Sequence, residues 1–546
     1  MKKTLEPLTR KSLLALLGDK ETLTAAGLTL VAPPYFRHAT APQAAGVILG
    51  PGGMGIGFTS DVLGLLRRKR GPECAPRVIG METFNGGLVS DLNQTDGLAA
   101  HLVLPSDGAP QLRIHDSFAG VGFAGESGAG ATWAWLRHHA ADPKVSFATG
   151  NVPESWWDCE WKLGDGDLAS PLGTATKDDV AHGATRSHLG RFTEFLAARY
   201  AAGGPRFTFI SGTNFSRNGQ FARAAFRMMA RSFERARGAA LKGFEAWIAD
   251  PEQVGCPDSM IDRISIPPTP EIVARVQEFG FVCPTAVTEE TLWWIIEQQF
   301  AGAVPPMDEV DGVHFVPLYE VEVAEKLKLT TLNALHLWLA LAGAIKGWFG
   351  PFSIYKGMHD PLLRAMVEHI IKLATTGISS PSFSTAQAFG ANAIRRVLNP
   401  HLPDATERIA MNWTAKYLPR VYPTLKRMVE SGASETEIAP LVLLIAVGLR
   451  YVVGKTDDGT DFVLAPDPRR ELLVRLQREV TLGKPESAVA LRSFVSDAGI
   501  MGQDLFTMKV GQTNVGDLVM AQFGRLLIPL SFATEVERVL ARCQTS

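Results

Sequence analysis

Apolar positions change their spacing near the middle of the chain. Up to about residue 275, short apolar runs alternate with segments of helical period such as Ser187 to Ala202 and Asn218 to Ala240. The alternation predicts an α/β domain with a mostly parallel sheet. The predicted strands are the start of the segment Ala44 to Arg70, then Pro76 to Phe84, Ala99 to Leu104, Gln111 to Ala119 and Arg206 to Gly212.

The second half of the chain follows a helical period from about Thr288 to its end. Strand-like alternation remains near Val310 to Val316 and in a predicted hairpin, Val453 to Pro466. We therefore expect two domains, residues 1–285 and 286–546, of which the second is mostly α-helical. A loop-rich stretch at 151–180 interrupts the first domain, and it is either a lid over one face or an irregular surface excursion.

Composition excludes several classes of protein. The 546 residues are 46% hydrophobic with a net charge of −2, which allows two or three folded domains and gives no global signal for nucleic acid. The longest apolar runs fall short of the roughly 20 residues that cross a bilayer. The five cysteines lack the spacing of metal ligands. We expect a cytoplasmic protein with no nucleic-acid, membrane or metal partner.

A glycine-rich turn separates the first predicted strand from a helix. Its sequence, Gly50-Pro51-Gly52-Gly53-Met54-Gly55, is a G-x-G-x-x-G pattern, and we call it the glycine turn. The pattern predicts a site for NAD or NADP, with the pyrophosphate at the helix N-terminus. The alternative is another ligand, such as S-adenosylmethionine. The residues expected to bind the cofactor are Gly50, Gly52, Gly53, Met54, Gly55 and Glu82.

Glu82 is the candidate for distinguishing the two cofactors. It closes the second predicted strand, where an acidic side chain binds the ribose 2′-hydroxyl and favours NAD. It lies 27 positions after Gly55, which is later than the usual spacing of about 20. The choice between NAD and NADP therefore stays open.

Lys328, Asn333 and His336 interrupt an otherwise apolar helix. At about 100° per residue, His336 lies about 80° and Asn333 about 140° from Lys328, so all three share one sector. A buried unpaired ammonium costs several kcal/mol, so this lysine must face a polar cavity, a partner or a ligand. The alternative is a lysine that reaches water beside a core histidine. In alcohol oxidation, a desolvated lysine can take the hydroxyl proton and amides can hold the oxyanion.

The spacing K-x-x-x-x-N-x-x-H resembles the signature of the polyol-specific long-chain dehydrogenases, the mannitol dehydrogenase family. Further segments resemble that family in the same order over residues 45 to 540. They include "SGTNFSRNGQ" from Ser211, "CPDSMIDRISIPP" from Cys256 and "NPHLPDATERIAMNWTAKYLPR" from Asn399. The glycine turn looks closer to the sugar-phosphate branch of the family.

The resemblance implies a Rossmann-like N-terminal domain, a helical C-terminal domain and a substrate cleft between them. It implies that Lys328 is the general base, that Asn214 and Asn333 bind the oxyanion, and that His336 contacts substrate hydroxyls and orients the lysine. The further substrate contacts that it implies are Asp262, Arg408 and Lys416.

The expected activity is the NAD(P)-dependent interconversion of a secondary alcohol of a polyol or sugar acid and its ketone. Three alternatives stay open: a polyol-phosphate dehydrogenase, a non-catalytic dinucleotide-binding sensor, and a methyltransferase.

Overall fold

The chain forms two compact units, Met1–Glu322 and Val323–Ser546. The computed structural model describes residues 44–71, 77–125, 130–162, 168–266, 268–277 and 285–544, together with residues 9, 12, 13, 15, 22–25 and 28–31. The division follows Glu322, whereas the sequence prediction placed it after residue 285. The strands Thr285–Glu289 and Trp293–Glu297 account for the difference, because both pair with strands earlier in the chain.

A six-stranded sheet with only parallel pairs forms the centre of the first unit. The strand order reverses beside Ala44–Leu49, and in such sheets a ligand crevice opens where the order reverses, at the carboxyl ends of the strands. This arrangement confirms the predicted Rossmann-like fold. In spatial order the strands are Val254–Gly255, Phe207–Ser211, Phe147–Gly150, Ala44–Leu49, Arg77–Glu82 and Phe118–Phe123.

Helices alternate with these strands along the chain, as predicted. The π-helical turn Gly55–Ser60 follows the glycine turn and continues into the helix Asp61–Arg70. The other helices of this part are Gly86–Gln94, Ala131–Ala141, Glu154–Trp157, Thr174–His182, His188–Ala201, Asn218–Arg237 and Phe244–Ala249, with a 3-10 turn at Gly238–Leu241.

A second six-stranded sheet, with parallel and antiparallel pairs, was not predicted. The predicted run Gln111 to Ala119 is divided between the two sheets, because Gln111–His115 joins the second and Phe118–Phe123 the first. In spatial order the second sheet contains Thr22–Ala25, Leu28–Val31, Gln111–His115, Ala99–Leu104, Thr285–Glu289 and Ser265–Ile266. Further described elements of this unit are the strands Ser259–Asp262, Trp293–Glu297 and Val313–Val316, the helix Pro270–Gln277 and the 3-10 turn Met307–Glu309.

Within the loop-rich stretch at 151–180, the described residues include two buried tryptophans. Trp156 and Trp157 are buried, and Trp157 Nε1 donates to Thr213 Oγ1 at 3.0 Å. The lid and the irregular surface excursion both stay predictions. After the helix Glu154–Trp157 come the antiparallel strands Cys159–Lys162 and Leu168–Pro171.

A buried carboxylate, Asp61, connects the helix after the glycine turn to the second sheet. Arg263 Nη1 lies 2.7 Å and Arg113 Nη1 3.3 Å from Asp61 Oδ2. His101 and His115 approach the two carboxylate oxygens at 3.6 and 3.4 Å. Although the aspartate and the two histidines offer three ligand atoms to a metal ion, the guanidinium groups already supply positive charge. We therefore interpret the group as an ion-pair network that stabilises the first unit.

Helices dominate the second unit. Every residue of Ala334–Ile345 is buried, and this helix contacts Glu435–Val452, which is buried from Ile438 onward. Among the described helices, none is both long and apolar enough to cross a membrane. The helices are the end of Leu318–Lys328, then Ala334–Ile345, Ser353–Met358, Pro361–Thr375, Ala386–Val397, Thr406–Ala410, Tyr417–Arg420, Tyr422–Glu430, Glu435–Val452, Arg470–Glu479, Arg492–Val495, Ala498–Met501, Val515–Leu526 and Phe532–Gln544.

Non-helical structure in this unit is short. The predicted hairpin Val453 to Pro466 is reduced to a single bridge between Lys455 and Asp461. On either side of the bridge, the N–H of Thr456 donates to Thr460 O and the N–H of Phe462 donates to Gly454 O, both at 2.8 Å. The short elements are the strands Lys509–Val510 and Thr513–Asn514 and the 3-10 turns Trp413–Ala415 and Pro485–Leu491.

Candidate active site

The glycine turn adopts a backbone that requires glycine at its two ends. Gly50 has a φ of +63°, a left-handed value that glycine adopts without steric cost, and its N–H donates to Met81 O at 2.9 Å. A Cβ on Gly55 would lie 2.8 Å from Gly50 O, whereas a Cβ on Gly52 or Gly53 would meet nothing within 4 Å. The middle glycines therefore leave space in front of the turn, where the pyrophosphate of a dinucleotide lies in this motif.

A cavity of about 560 Å³ opens at the glycine turn. Glu82 lies in its wall, and Glu82 Oε1 accepts hydrogen bonds from the N–H groups of Thr83, Phe84 and Asn85 at 2.8, 2.6 and 3.1 Å. The carboxylate is thereby held at the end of its strand. The described lining residues are Gly50, Gly52, Gly53, Met54, Glu82, Thr83, Phe84, Asn85, Leu88, Asn151, Val152, Pro153, Ser155, Trp156 and His188.

Three aromatic side chains on the cavity wall were not predicted from the sequence as site residues. Trp156 Nε1 donates to Thr83 Oγ1 at 3.2 Å, and His188 Nδ1 lies 3.1 Å from the same hydroxyl. Burial lowers the pKa of His188, so its ring is mostly neutral at pH 7. Phe84 is 82% exposed, which leaves a large apolar ring facing solvent beside the cavity. A wall of this kind suits a flat ring such as adenine.

Asn214 and Asp262, the two residues of the first unit that the family resemblance assigns to the substrate, lie on segments that Asn218 connects. Asn218 Nδ2 donates to Thr213 O and to Ser259 O, both at 2.8 Å, and its Oδ1 accepts from Ser259 N at 2.9 Å. The loop that carries Asn214 is thereby bonded to the strand Ser259–Asp262. Asn218 stands in the quoted "SGTNFSRNGQ" segment, but its neighbours in space could not be known from the sequence.

The polar trio lies on one helical segment that contains a π turn. The α-helix Leu318–Lys328 continues into the π turn Leu329–Asn333 and then into the α-helix Ala334–Ile345. Lys328 and His336 are buried, and Asn333 is half-buried. A π turn rotates less per residue than an α-helix, so the predicted angles of 80° and 140° do not hold. π turns of this kind are frequent at functional sites.

Two threonines account for the π turn. Thr330 Oγ1 donates to Lys326 O at 2.8 Å, and Thr331 Oγ1 donates to Leu327 O at 2.6 Å. Hydroxyls that bond carbonyl groups four residues earlier compete with the regular helix ladder and bend it. The turn lies between Lys328 and His336, so it sets how these two side chains are presented.

His336 is held as a neutral ring. Its Nδ1 lies 2.9 Å from Leu332 O, and its Nε2 lies 3.7 Å from Asp404 Oδ2. Burial, with help from Arg408, lowers the pKa of His336 to about 4, although Asp404 opposes the shift. A carbonyl oxygen only accepts, so Nδ1 carries the proton and Nε2 is an acceptor.

Arg408 and Lys416 lie in the same polar cluster as His336. Arg408 donates twice to Asp404, at 2.8 and 2.7 Å, and Lys416 Nζ donates to Ile409 O at 2.6 Å. Burial, together with the neighbouring arginines, lowers the pKa of Lys416 to about 7. Asp404, which the sequence analysis missed, stands four residues before Arg408 and is its ion-pair partner.

Comparisons with known proteins show what this chain is similar to. The profile of the mannitol dehydrogenase C-terminal domain matches residues 320–512, a range that contains the polar trio. The D-mannonate oxidoreductase of Thermotoga maritima is 26% identical over 539 residues, which cover 94% of this chain and 96% of that protein.

Residues 320–512 belong to the family of mannitol dehydrogenase C-terminal domains.

Mannitol dehydrogenases also match the chain over most of their length. The mannitol 2-dehydrogenase of Aspergillus fumigatus is 26% identical over 485 residues, 87% of this chain and 91% of that protein. In fold, the chain is similar to the Pseudomonas fluorescens mannitol 2-dehydrogenase in its complex with NAD and D-mannitol. The TM-score is 0.71 at 20% identity, over 99% of this chain and 100% of the other.

A substrate-free D-sorbitol dehydrogenase gives a TM-score of 0.77 at 20% identity, over 97% of this chain and 99% of the other. These comparisons confirm the predicted family and the predicted fold class, an α/β dinucleotide-binding fold followed by a helical part.

The structure groups the predicted family residues into three sets. The first set shares one cavity, which is lined by Gly50, Gly52, Gly53, Met54 and Glu82. Asn214 and Asp262 lie on connected segments of the first unit. The third set lies in the second unit and consists of Lys328, Asn333, His336, Arg408 and Lys416. The role of each residue stays a prediction.

Proposed function

We propose that the protein is an NAD-dependent oxidoreductase that interconverts a secondary alcohol of a polyol or sugar acid and its ketone, with Lys328 as the general base. The observation that carries the proposal is the position of the buried Lys328 immediately before the π turn that ends at Asn333, with the neutral His336 following it. The relatives named above are oxidoreductases of mannonate and mannitol, which supports this class of reaction.

The cavity at the glycine turn fits a dinucleotide. Gly52 and Gly53 leave space for the pyrophosphate, Glu82 would bind the ribose hydroxyls, and Phe84 and Trp156 would contact the adenine. When bound, NAD accepts the hydride that leaves the alcohol carbon. The protein must then remove the hydroxyl proton and stabilise the oxygen that becomes the carbonyl.

Each polar side chain of the candidate site has a task in that reaction. Lys328 takes the hydroxyl proton, and the amide of Asn333 donates a hydrogen bond to the oxygen as it gains negative charge. His336 Nε2 accepts a hydrogen bond from a neighbouring substrate hydroxyl. Arg408 and Lys416 would contact the rest of the substrate.

Glu82 supports NAD over NADP. Its carboxylate can accept hydrogen bonds from both ribose hydroxyls, but it would repel the 2′-phosphate of NADP. Among the described lining residues of the cavity, none is a lysine or arginine that would bind that phosphate. We therefore propose NAD as the preferred cofactor.

The charges around His336 support a sugar acid as the substrate. Asp404 compensates Arg408 through their ion pair, while Arg420 adds positive charge to the same cluster. A substrate carboxylate would balance this charge, which a neutral polyol cannot do. A polyol phosphate is the second candidate on the same ground.

A substrate survey tests the proposal. Purified protein is mixed with NAD or NADP and a panel of polyols, aldonates and polyol phosphates, and nicotinamide reduction is followed by absorbance. The reverse reaction is followed with the corresponding ketones. We expect turnover with NAD and an aldonate. NAD binding without turnover of any compound would support the dinucleotide-binding sensor instead, and absence of dinucleotide binding would contradict both.

A further inference from the structure

Arg420 contacts the π turn from a distant part of the second unit. It ends the helix Tyr417–Arg420, and its Nη1 donates to the main-chain oxygen of Asn333 at 3.1 Å. Asn333 is the last residue of the π turn. A side chain 87 residues away in sequence therefore fixes the backbone of the residue expected to bind the oxyanion.

Arg420 is also a charged neighbour of Lys416, one helical turn earlier. Burial contributes most to the lowered pKa of Lys416, about 7, and Arg420 is the largest charged contributor, followed by Arg408. Asp467 and Asp404 act in the opposite direction. Burial and the adjacent guanidinium are thus the main causes that bring the pKa of Lys416 close to neutral pH.

The same guanidinium acts on His336. The other charged groups that face this ring are Asp404, which favours protonation, and Arg408 and Arg396, which disfavour it. Arg420 itself is half-buried, and burial lowers its pKa only to about 10. It therefore stays charged at neutral pH.

We propose that Arg420 is a positioning residue of this active site, which fixes the Asn333 end of the π turn and supplies the positive charge that acts on Lys416 and His336. The inference rests on the proposed function only for its effect on turnover. The hydrogen bond to the turn and the charge beside Lys416 are properties of the folded chain, and they can be measured without a substrate.

Three variants of the full chain test the inference. Arg420→Gln removes the charge, and Arg420→Lys keeps the charge but lacks the planar fork of donors. Arg364→Gln is the control, because it removes an exposed arginine of the same unit that pairs with Glu368. The titration of Lys416 is followed by NMR on protein labelled with [ε-¹³C]lysine, and its signal is identified by its loss in Lys416→Met.

We expect Lys416 to titrate near pH 7 in the wild type and in Arg364→Gln, and roughly one pH unit higher in Arg420→Gln. Arg420→Lys should keep the wild-type midpoint. Turnover should fall by roughly 10²-fold in Arg420→Gln, since small displacements of a catalytic group have costs of this order. The loss should be smaller in Arg420→Lys.

An unchanged Lys416 midpoint in Arg420→Gln would overturn the inference, whatever the turnover. A lower melting temperature with an unchanged midpoint would also overturn it, because a merely structural arginine gives that result. If Arg420→Gln does not fold, the test is Arg420→Lys, which keeps the positive charge. A shifted midpoint of the Lys416 titration in that variant would contradict the proposed role of the charge at position 420. A wild type without turnover would refute the proposed function, and the Lys416 titration would still decide the inference.

Discussion

His336 Nδ1 lies 2.9 Å from the carbonyl oxygen of Leu332, one turn earlier on the same helical segment. This contact assigns the ring proton to Nδ1, because the carbonyl oxygen can only accept. With the pKa of His336 lowered to about 4 by burial, the ring is neutral at pH 7 and Nε2 has a lone pair. The histidine can therefore accept a hydrogen bond from a substrate hydroxyl, but it cannot donate a proton from Nε2.

The protonation state of His336 can be tested directly. In ¹⁵N-histidine-labelled protein, we expect its signals to show a neutral ring protonated at Nδ1 throughout pH 5.5 to 9, with assignment by His336→Gln. An Nε2-protonated ring, or an imidazolium at pH 6, would contradict the account of the site.

The buried Asp61 network predicts that the protein loses stability in acid. Burial lowers the pKa of His101 to about 4 and that of His115 to about 3, whereas the unfolded chain protonates histidine near pH 6.5. Unfolding therefore takes up protons as the pH falls from about 6.5 to 4. The free energy of unfolding should fall by up to about 1.4 kcal/mol per pH unit for each histidine.

Asp61 contributes at lower pH. Burial opposes its ionisation, but Arg263 and the other cations hold its pKa well below the usual value. Its contribution is present above the unfolded pKa of about 3.9 and is lost as the pH falls through the folded value. Denaturant titrations from pH 7 to 4 should show a slope that is smaller by about one proton in His115→Gln than in the wild type. Equal slopes in the two proteins would refute the assignment.

The glycine turn predicts different outcomes for two of its glycines. Gly52→Val should fold normally and lose NAD binding, because its side chain would fill the open space in front of the turn. Gly55→Ala, in contrast, should lower the melting temperature, since the new Cβ would lie 2.8 Å from Gly50 O. Calorimetric binding and thermal unfolding measure the two effects. Wild-type NAD affinity in Gly52→Val would show that the cofactor does not bind at this turn.

Glu82 predicts the cofactor preference. Glu82→Gln removes the negative charge that repels a 2′-phosphate, so the ratio of kcat/KM for NADP to that for NAD should rise by roughly tenfold or more. The exposed Glu430 provides a control, and Glu430→Gln should leave the ratio unchanged. If Glu82→Gln leaves it unchanged too, the ribose is recognised elsewhere.

Local patterns allowed part of this site to be predicted. The glycine turn and the spacing of Lys328, Asn333 and His336 are short-range features of the sequence, and the structure places each on the expected kind of element. The π turn was not predicted, because it depends on hydroxyl-to-carbonyl bonds of Thr330 and Thr331 that compete with regular helix bonds.

Contacts between distant segments could not be predicted. A strand pattern shows that Gln111–His115 is extended, but it does not show which sheet it joins. Arg420 also contacts Asn333 across 87 residues, and no periodicity of the sequence relates the two. The missed residues Asp404 and Arg420 each stand four positions from a predicted one, which is the spacing of neighbours on a helix.

The role of Lys328 as the general base is the central claim. Lys326, two residues earlier on the same helix, is exposed, so Lys326→Ala is a matched control for losing a lysine here. Both variants should bind NAD like the wild type, because the glycine turn is unchanged. Small primary amines should restore part of the rate of Lys328→Ala by entering the space that its side chain vacates.

The most direct measurement is the turnover number of Lys328→Ala for alcohol oxidation at saturating NAD and substrate, compared with Lys326→Ala. The account predicts a loss of roughly 10²- to 10⁴-fold for Lys328→Ala, the range for removing a positioned base, and near wild-type turnover for Lys326→Ala. Near wild-type turnover in Lys328→Ala would show that this lysine is structural and that another group takes the proton.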